Sequence, residues 1–276
     1  MPDIQIPRVA LNDGTTIPQL GLGVYKVADD EAERVVRIAL DEGYRHIDTA
    51  TLYGNEAGVG RAMRASGLDR DDVYLTTKVW NTEHGYDETL RAFDESLRLL
   101  DTDHVDLYLI HWPAASRDRY VETYRALETI RSEGRARSIG VSNFQVPHLE
   151  RLLGETDVVP VVNQVEAHPW LPQRELRAFG DAHGIVTEAW SPLARGRILD
   201  DEVLLGIADR LGVSVAQVVI RWHLQHGLVV IPKSATASRI RSNLDVFGFE
   251  LDDADLDAIA ALESGQRTGS HPDDVD

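Results

Sequence analysis

Gly43-Tyr44-Arg45-His46-Ile47-Asp48-Thr49-Ala50-Thr51-Leu52-Tyr53-Gly54-Asn55-Glu56 decides how this chain reads. A helical pattern leads into it, with Val35, Ile38, Ala39 and Glu42 at helical spacing and Asp29 or Asp30 as a cap. Gly43 stops that pattern. His46 to Asp48 is then a short buried strand ending in a carboxylate. Tyr53 follows on a loop, and Asn55 opens the next amphipathic run. An acid at a strand end and a phenol on the next loop face one space if the strands form a parallel barrel.

Upstream, residues 4–18 read as a hairpin. Ile4 to Leu11 is strand-like, Asn12-Asp13-Gly14 turns the chain, and Thr15 to Ile17 returns. Leu20 to Gly23 is a short apolar strand entering a Gly-rich bend. Downstream, strands over 73–77, 105–110, 136–141, 159–165, 185–189 and 228–231 alternate with helical runs. Strands alternating with helices imply a parallel sheet covered by helices. At this length a closed (β/α)8 TIM barrel with an N-terminal β-hairpin is favoured over a doubly wound open sheet, because such barrels have about 250 residues. No linker composition or charge-block boundary interrupts 1–276, so a single domain is expected, with 263–276 as a loose polar tail.

The 276 residues carry 28 Lys and Arg against 46 Asp and Glu, a formal charge of −18. That argues against a general nucleic-acid binder and against anionic membrane surfaces. Without cysteine, disulfides, thiolate metal sites and cysteine nucleophiles are excluded. No secretory pattern opens the chain and no apolar run approaches the ~20 residues of a membrane span, so a cytoplasmic protein is expected. Nothing resembles a dimerisation stripe, so a monomer is expected.

Two further strand-like runs end as the first does, in Thr76-Thr77-Lys78 and in Leu109-Ile110-His111. Any one of Asp48, Tyr53, Lys78 and His111 alone reads as a structural ion pair or a core histidine. Together at successive strand ends they read as chemistry. A buried Lys78 is costly unless Asp48 pairs with it. A cation beside a phenol favours the phenolate and lowers the Tyr53 pKa from about 10. Tyr53 then suits proton donation to a developing alkoxide, with His111 donating a hydrogen bond to the same oxygen. This is a site for carbonyl reduction, and it lacks the nucleophile of acyl transfer.

Reduction needs a hydride source, and no side chain supplies one. The Gly-rich runs at 21–26 and 54–60 do not match the dinucleotide fingerprint, and no zinc helix or other metal motif is present. A better anion site is Ile231-Pro232-Lys233-Ser234-Ala235-Thr236, ahead of a helix carrying Arg239 and Asn243. Barrel enzymes often bind phosphate at the last strands and a nearby helix N-terminus. Ser142-Asn143 and Asn163-Gln164 place a hydroxyl and amides at two strand ends, where they can bind a carboxamide or serve as caps and turns. Trp190 can stack on a flat ring or simply pack in the barrel. Tyr25, Trp80 and Trp112 would wall an apolar substrate pocket.

These motifs occur in an order that resembles the aldo-keto reductases over nearly the whole chain. The matching runs are GYRHIDTATLYGNE, YLTTKVWN, DLYLIHWP, RSIGVSNF, PVVNQVEAHP, WSPL, VVIPKSAT and NLDVFGFEL. LNDGTTIPQLG, VPHLERL and the tail from His271 to Asp276 resemble the bacterial 2,5-diketo-D-gluconate reductase branch. The resemblance implies a barrel using NADPH, with NADH weaker, and Tyr53 as general acid beside Asp48, Lys78 and His111. It implies Ser142, Asn143 and Gln164 on the nicotinamide carboxamide and Trp190 on its ring. Ser191, Leu193 and Gly196 would follow the pyrophosphate. Lys233, Ser234, Thr236 and Arg239 would hold the 2′-phosphate, with Asn243 near the adenine. Two departures stand out: Ala194 where the family commonly has Gly, and Thr236 where diketogluconate reductases carry Arg. The expected partner is a small carbonyl compound. The apolar, cation-poor pocket favours a neutral aldehyde or α-dicarbonyl, whereas the resemblance favours a diketo sugar acid. A Schiff-base aldolase using Lys78 and a non-catalytic NADPH-binding redox sensor are the competing readings.

Overall fold

A computed structural model describes residues 5–276. Ile4, expected to open the hairpin, lies outside the described residues. The hairpin is shorter than the sequence implies, with β1 (Arg8–Ala10) antiparallel to β2 (Thr16–Pro18). Pro7 and Pro18 bound it, since neither has an N–H for a ladder.

Eight parallel strands follow: β3 (Leu22–Gly23), β4 (His46–Asp48), β5 (Tyr74–Val79), β6 (Val105–Ile110), β7 (Ala136–Ser142), β8 (Val162–Glu166), β9 (Val186–Trp190) and β10 (Val229–Val230). Each pairs with the next in sequence. Parallel bridges from Leu20 to Val230 and from Gly23 to Lys233 join the first strand to the last. The sheet therefore curls into the expected barrel. The strand expected to start at 159 begins at Val162, beyond Pro160.

Helices α1 (Asp29–Glu42), α2 (Glu56–Ala65), α3 (Tyr86–Leu100), α4 (Tyr120–Ser132), α5 (Val146–Glu155), α6 (Arg174–His183), α7 (Glu202–Leu211), α8 (Val215–Gln225), α9 (Ala237–Leu244) and α10 (Asp253–Ala260) accompany the strands. α1 ends at Gly43, whose φ of 109° closes the helix with N–H bonds to Ala39 and Leu40 carbonyls. Only glycine reaches that conformation cheaply, so this residue delivers the chain into β4.

Strand alternation sorts the apolar residues. Tyr108 and Ile110 of β6 face outward into the layer shared with α1 to α6. Leu107 and Leu109 face inward with Val162, Val229 and the hairpin residue Ile17. The hairpin thus plugs one end of the barrel. The inward positions at the other end are polar: Asp48, Lys78, Gln164 and Glu188, all buried. That end carries the strand C-termini, where barrel enzymes place their chemistry. Among the described residues no single helix is long and apolar enough to cross a membrane.

Candidate active site

Lys78 is completely buried on β5, and its ammonium is fully engaged. Nζ donates to both Asp48 carboxylate oxygens at 2.7 Å and to the Thr49 carbonyl at 2.9 Å. Tyr53 ends a single 3-10 turn (Thr51–Tyr53) after β4, and its ring centroid lies 5.2 Å from Lys78 Nζ. His111 follows β6 directly, edge-on to Tyr53 at 5.6 Å between centroids. The structure therefore brings all four side chains together.

Their charge states follow from burial. Burial and then the Lys78 charge hold the His111 imidazole well below its ordinary value, so it is neutral. His111 Nδ1 is buried without a partner. An unprotonated Nδ1 avoids an orphaned donor, which assigns the proton to Nε2 as the nitrogen available to the cavity. Tyr53 differs from expectation. Burial, then the Asp48 carboxylate, hold its phenol well above 10. The cation meant to lower it is neutralised by Asp48 at contact distance. Tyr53 thus stays a protonated donor.

A cavity of about 150 Å³ is lined by Asp48, Tyr53, His111, Trp112, Asn143, Gln164 and Trp190, with Tyr25 at its mouth. Leu52 and Ile231 also line it, and neither carries a signal in the sequence beyond its place in a motif. Trp80 does not line it, contrary to expectation. It packs edge-on against His111 at 5.2 Å, because its ring turns toward the imidazole. Trp112 and Trp190 meet edge-on at 6.3 Å.

The amide cluster is wired to itself. Ser142 Oγ donates to the Gln164 carbonyl at 2.7 Å, and Asn143 Nδ2 donates to the His111 carbonyl at 2.9 Å. Trp190 Nε1 donates to Asn143 Oδ1 at 2.9 Å, fixing the indole. Gln164 Nε2 donates to Asp48 Oδ2 at 2.8 Å and to Glu188 Oε2 at 2.9 Å. Gln164 Oε1 is left without a partner among the described residues, an acceptor for a ligand N–H. Glu188 was not anticipated. Its one signal is a charged residue inside the otherwise apolar run 185–189.

A second groove, of about 800 Å³, adjoins the cavity, and Tyr25, Ser191, Arg195 and Lys233 line both. Leu193, Gly196, Ser234, Thr236, Arg239 and Asn243 line it too, so the expected cofactor positions converge there. Lys26 and Arg195 join Lys233 and Arg239 on its wall. Among the described residues no Asp or Glu lines the groove, on a chain with a charge of −18. Such a wall fits a long polyanion. The turn bearing it holds Ser191 at φ 48°, Ala194 at 48° and Arg195 at 56°, the left-handed region. At Ala194 this costs roughly 1–2 kcal/mol that glycine would avoid. The buried Ala194 methyl recovers about 0.8 kcal/mol of it.

The tail is not loose. Glu166, buried at the end of β8, accepts from Thr268 N at 2.6 Å, from Gly269 N at 3.0 Å and from the Thr268 hydroxyl. Burial opposes ionisation of Glu166, but hydrogen bonds from His168, Thr268 and Gly269 outweigh it and hold the carboxyl at about 2. A Cβ at position 269 would come within 2.5 Å of the Trp190 ring. Only glycine lets the tail pass that indole.

A sequence model described as the Aldo/keto reductase family matches residues 18–264. The chain is 50% identical to a glyoxal reductase of Bacillus subtilis over 276 residues, covering 100% of this chain and 99% of the relative. It is 48% identical to the methylglyoxal reductase DkgA of Escherichia coli over 267 residues, covering 96% of each. A crystal structure of a Gox0644 variant in complex with NADPH superposes with a TM-score of 0.93 at 50% identity. That match covers 97% of this chain and 98% of the other.

Proposed function

The chain belongs to the aldo/keto reductase family, an oxidoreductase acting on carbonyl and CH–OH groups, and on that premise we propose that it uses NADPH to reduce small α-dicarbonyls. The observation that carries this reading is the junction of the two spaces. A cavity bearing the uncharged Tyr53 and His111 opens, beside Trp190, into a groove walled by four cations and, among the described residues, no carboxylate. The named activities of the glyoxal and methylglyoxal reductases support the substrate class.

In this reading Lys233, Ser234, Thr236 and Arg239 take the 2′-phosphate, and Ser191, Leu193 and Gly196 line the pyrophosphate path. Asn243 lies by the adenine. Gln164 Oε1 and Asn143 Oδ1 accept from the carboxamide, and Trp190 supports the ring. The bound cofactor supplies the hydride. Trp112 and Tyr25 wall the carbonyl compound. The Tyr53 hydroxyl and His111 Nε2–H both point hydrogen bonds at its oxygen. As the hydride adds to the carbonyl carbon, the C=O electron pair moves onto that oxygen. Tyr53 then donates its proton and the alcohol forms. The resulting phenolate lies within reach of the Lys78 field, which Asp48 holds in place. Both cations that line the cavity, Arg195 and Lys233, also wall the groove, so in this reading the cofactor engages them and uncharged substrates are favoured over sugar acids.

The test is NADPH oxidation with methylglyoxal and with 2,5-diketogluconate at fixed salt. Comparable or higher kcat/KM for methylglyoxal is expected. A preference for the sugar acid on the order of 100-fold, ~2.7 kcal/mol, defeats the substrate assignment and points to Arg195 as an anion clamp. The aldolase alternative lacks support here, because Lys78 Nζ is bound to Asp48 and Thr49 and does not line the cavity.

A further inference from the structure

Glu188 is a buried acid that the reaction above does not use. It lies on β9 below the proposed catalytic groups, with no exposed side-chain surface. One amide group, Gln164 Nε2, holds Glu188 Oε2 at 2.9 Å and Asp48 Oδ2 at 2.8 Å. Glu188 Oε1 has no hydrogen-bond partner among the described residues. Its nearest basic atom is His46 Nε2 at 3.6 Å, itself 3.2 Å from Thr76 Oγ1.

The groups that face Glu188 leave it without a counter-ion. From β4 come Asp48 and His46, and from β5 come Lys78 and Tyr74. Tyr53 lies above, and Gln164 alone faces it from β8. The remaining cation, Arg8 of the hairpin, is exposed and bonded to Thr16. The Lys78 ammonium has three N–H bonds, and all go to Asp48 and Thr49. His46 is held down to about 3, chiefly by burial, and stays neutral. One ammonium balances one carboxylate in this interior, and Asp48 takes it. A second buried anion would stand unpaired, at a cost of several kcal/mol. Burial, then the Asp48 charge, accordingly push the Glu188 carboxyl up to about 8.

Resting on the carbonyl-reductase reading, we propose that Glu188 is a positioning residue whose proton is required for reduction. As a neutral carboxyl it lets a single Gln164 amide steady both Asp48 and the carboxamide end of the cofactor pocket. When it ionises, its proton leaves to solvent and a second anion appears beside Asp48. That anion competes for the Gln164 amide and for the Lys78 field. It also opposes formation of a phenolate at Tyr53, so the proton donor weakens. Tyr53 itself titrates far higher and cannot account for a fall in this range.

The experiment is the pH profile of kcat for methylglyoxal reduction at saturating NADPH, from about pH 6 to about pH 10, for the wild type, Glu188→Gln and Glu188→Leu. The wild type should fall about tenfold per pH unit above an inflection near pH 8, as loss of one proton requires. Glu188→Gln keeps an acceptor for Gln164 without a titratable proton, so its profile should lack that inflection. Glu188→Leu should also lack the inflection, but with no acceptor for Gln164 its kcat should lie on the order of tenfold below the wild-type neutral plateau. The same inflection in wild type and Glu188→Gln overturns the proposal, as does an active wild type with no alkaline fall. If Glu188→Gln fails to fold, pH-difference infrared spectra of the wild-type holoenzyme decide. A protonated-carboxyl band lost between neutral and alkaline pH supports the proposal, and its absence at neutral pH refutes it. A wild type inactive on every carbonyl tried is a different result, since it defeats the reductase reading itself.

Discussion

Replacing Lys78 by Met tests the buried pair that organises the site. The substitution keeps the aliphatic bulk and removes an ammonium whose side chain is 0% exposed, facing an Asp48 side chain that is 2% exposed. It deletes three hydrogen bonds, two at 2.7 Å and one at 2.9 Å. Asp48 would keep only the Gln164 amide. Breaking such a pair from one side costs about 3–5 kcal/mol, because a charge is left buried and uncompensated. Replacing both partners with neutral groups costs far less. Urea unfolding followed by fluorescence should therefore show Lys78→Met about 3–5 kcal/mol less stable at unchanged m. The double variant Lys78→Met with Asp48→Asn should recover much of that loss. The pH dependence has a definite sign. Burial already raises the Asp48 carboxyl, and Lys78 is the main group drawing it down. Without Lys78 its folded pKa lies above the unfolded value, so protonation stabilises the variant. Its deficit should shrink as pH falls from neutral toward about 4 and grow as pH rises. Losses that simply add in the double variant, or a single loss below about 1 kcal/mol, would show that the pair is not electrostatically coupled.

Three other outcomes follow from the same geometry. Tyr53→Phe keeps the ring and deletes the proton, so kcat should drop by about 10²–10⁴ while NADPH binding, read by fluorescence quenching, barely moves; near wild-type turnover ends the assignment. Lys233→Met or Arg239→Met removes a charge-assisted contact worth roughly 1.5–3 kcal/mol, so NADPH affinity should fall about tenfold or more with NADH unaffected. Equal weakening of both cofactors means these side chains do not read the phosphate. Glu166→Gln weakens the acceptor that ties down Thr268 and Gly269, so trypsin should cut at Arg267 faster than in the wild type, and an unchanged digestion pattern rules out the anchor.

The parts of the site written in local sequence were readable. Gly43 stops a helix, Asp48 ends a strand, and Tyr53, Lys78 and His111 repeat the same placement, so the barrel brings them together. The Lys233 to Asn243 segment reads as an anion site because Lys233 precedes, and Arg239 lies on, a helix that follows the last strand. What escaped depends on distance through space. The Tyr53 shift has the opposite sign because burial, and then the Asp48 charge, disfavour the phenolate, and spacing does not contain how deeply the phenol is buried. The tail reads as loose from its polar composition, yet it is held by Glu166, which lies 102 residues before Thr268. Trp80 shares a motif with the lysine two residues earlier, but its ring packs edge-on against His111 and does not line the cavity. Glu188 sits in a strand where one charged residue looks like an outward position, but its register beside Gln164 places it on the inward face.

A single ammonium explains why this interior is chemically quiet until a carbonyl arrives. Lys78 is the one cation among the inward-facing strand residues, and it neutralises Asp48 alone. His46 and His111 must then be neutral, because no anion remains to stabilise their charged forms. In the proposal above Glu188 keeps its proton because burial and the Asp48 charge disfavour a second anion and no cation remains for it. Tyr53, with no free cation nearby, holds its proton as well. Apart from Arg195 and Lys233, which the cavity shares with the groove, every group around the carbonyl position is thus neutral or internally paired, and the first uncompensated negative charge to appear there is the alkoxide formed by reduction. The Tyr53 and His111 hydrogen bonds strengthen only toward that charge. An arrangement that leaves the uncharged ketone almost unattended and favours the oxyanion binds the transition state in preference to the substrate. The same reasoning assigns the groove cations to binding: Lys26 and Arg239 line the groove alone, and Arg195 and Lys233 stand where it meets the cavity, so all four can attract an anionic ligand.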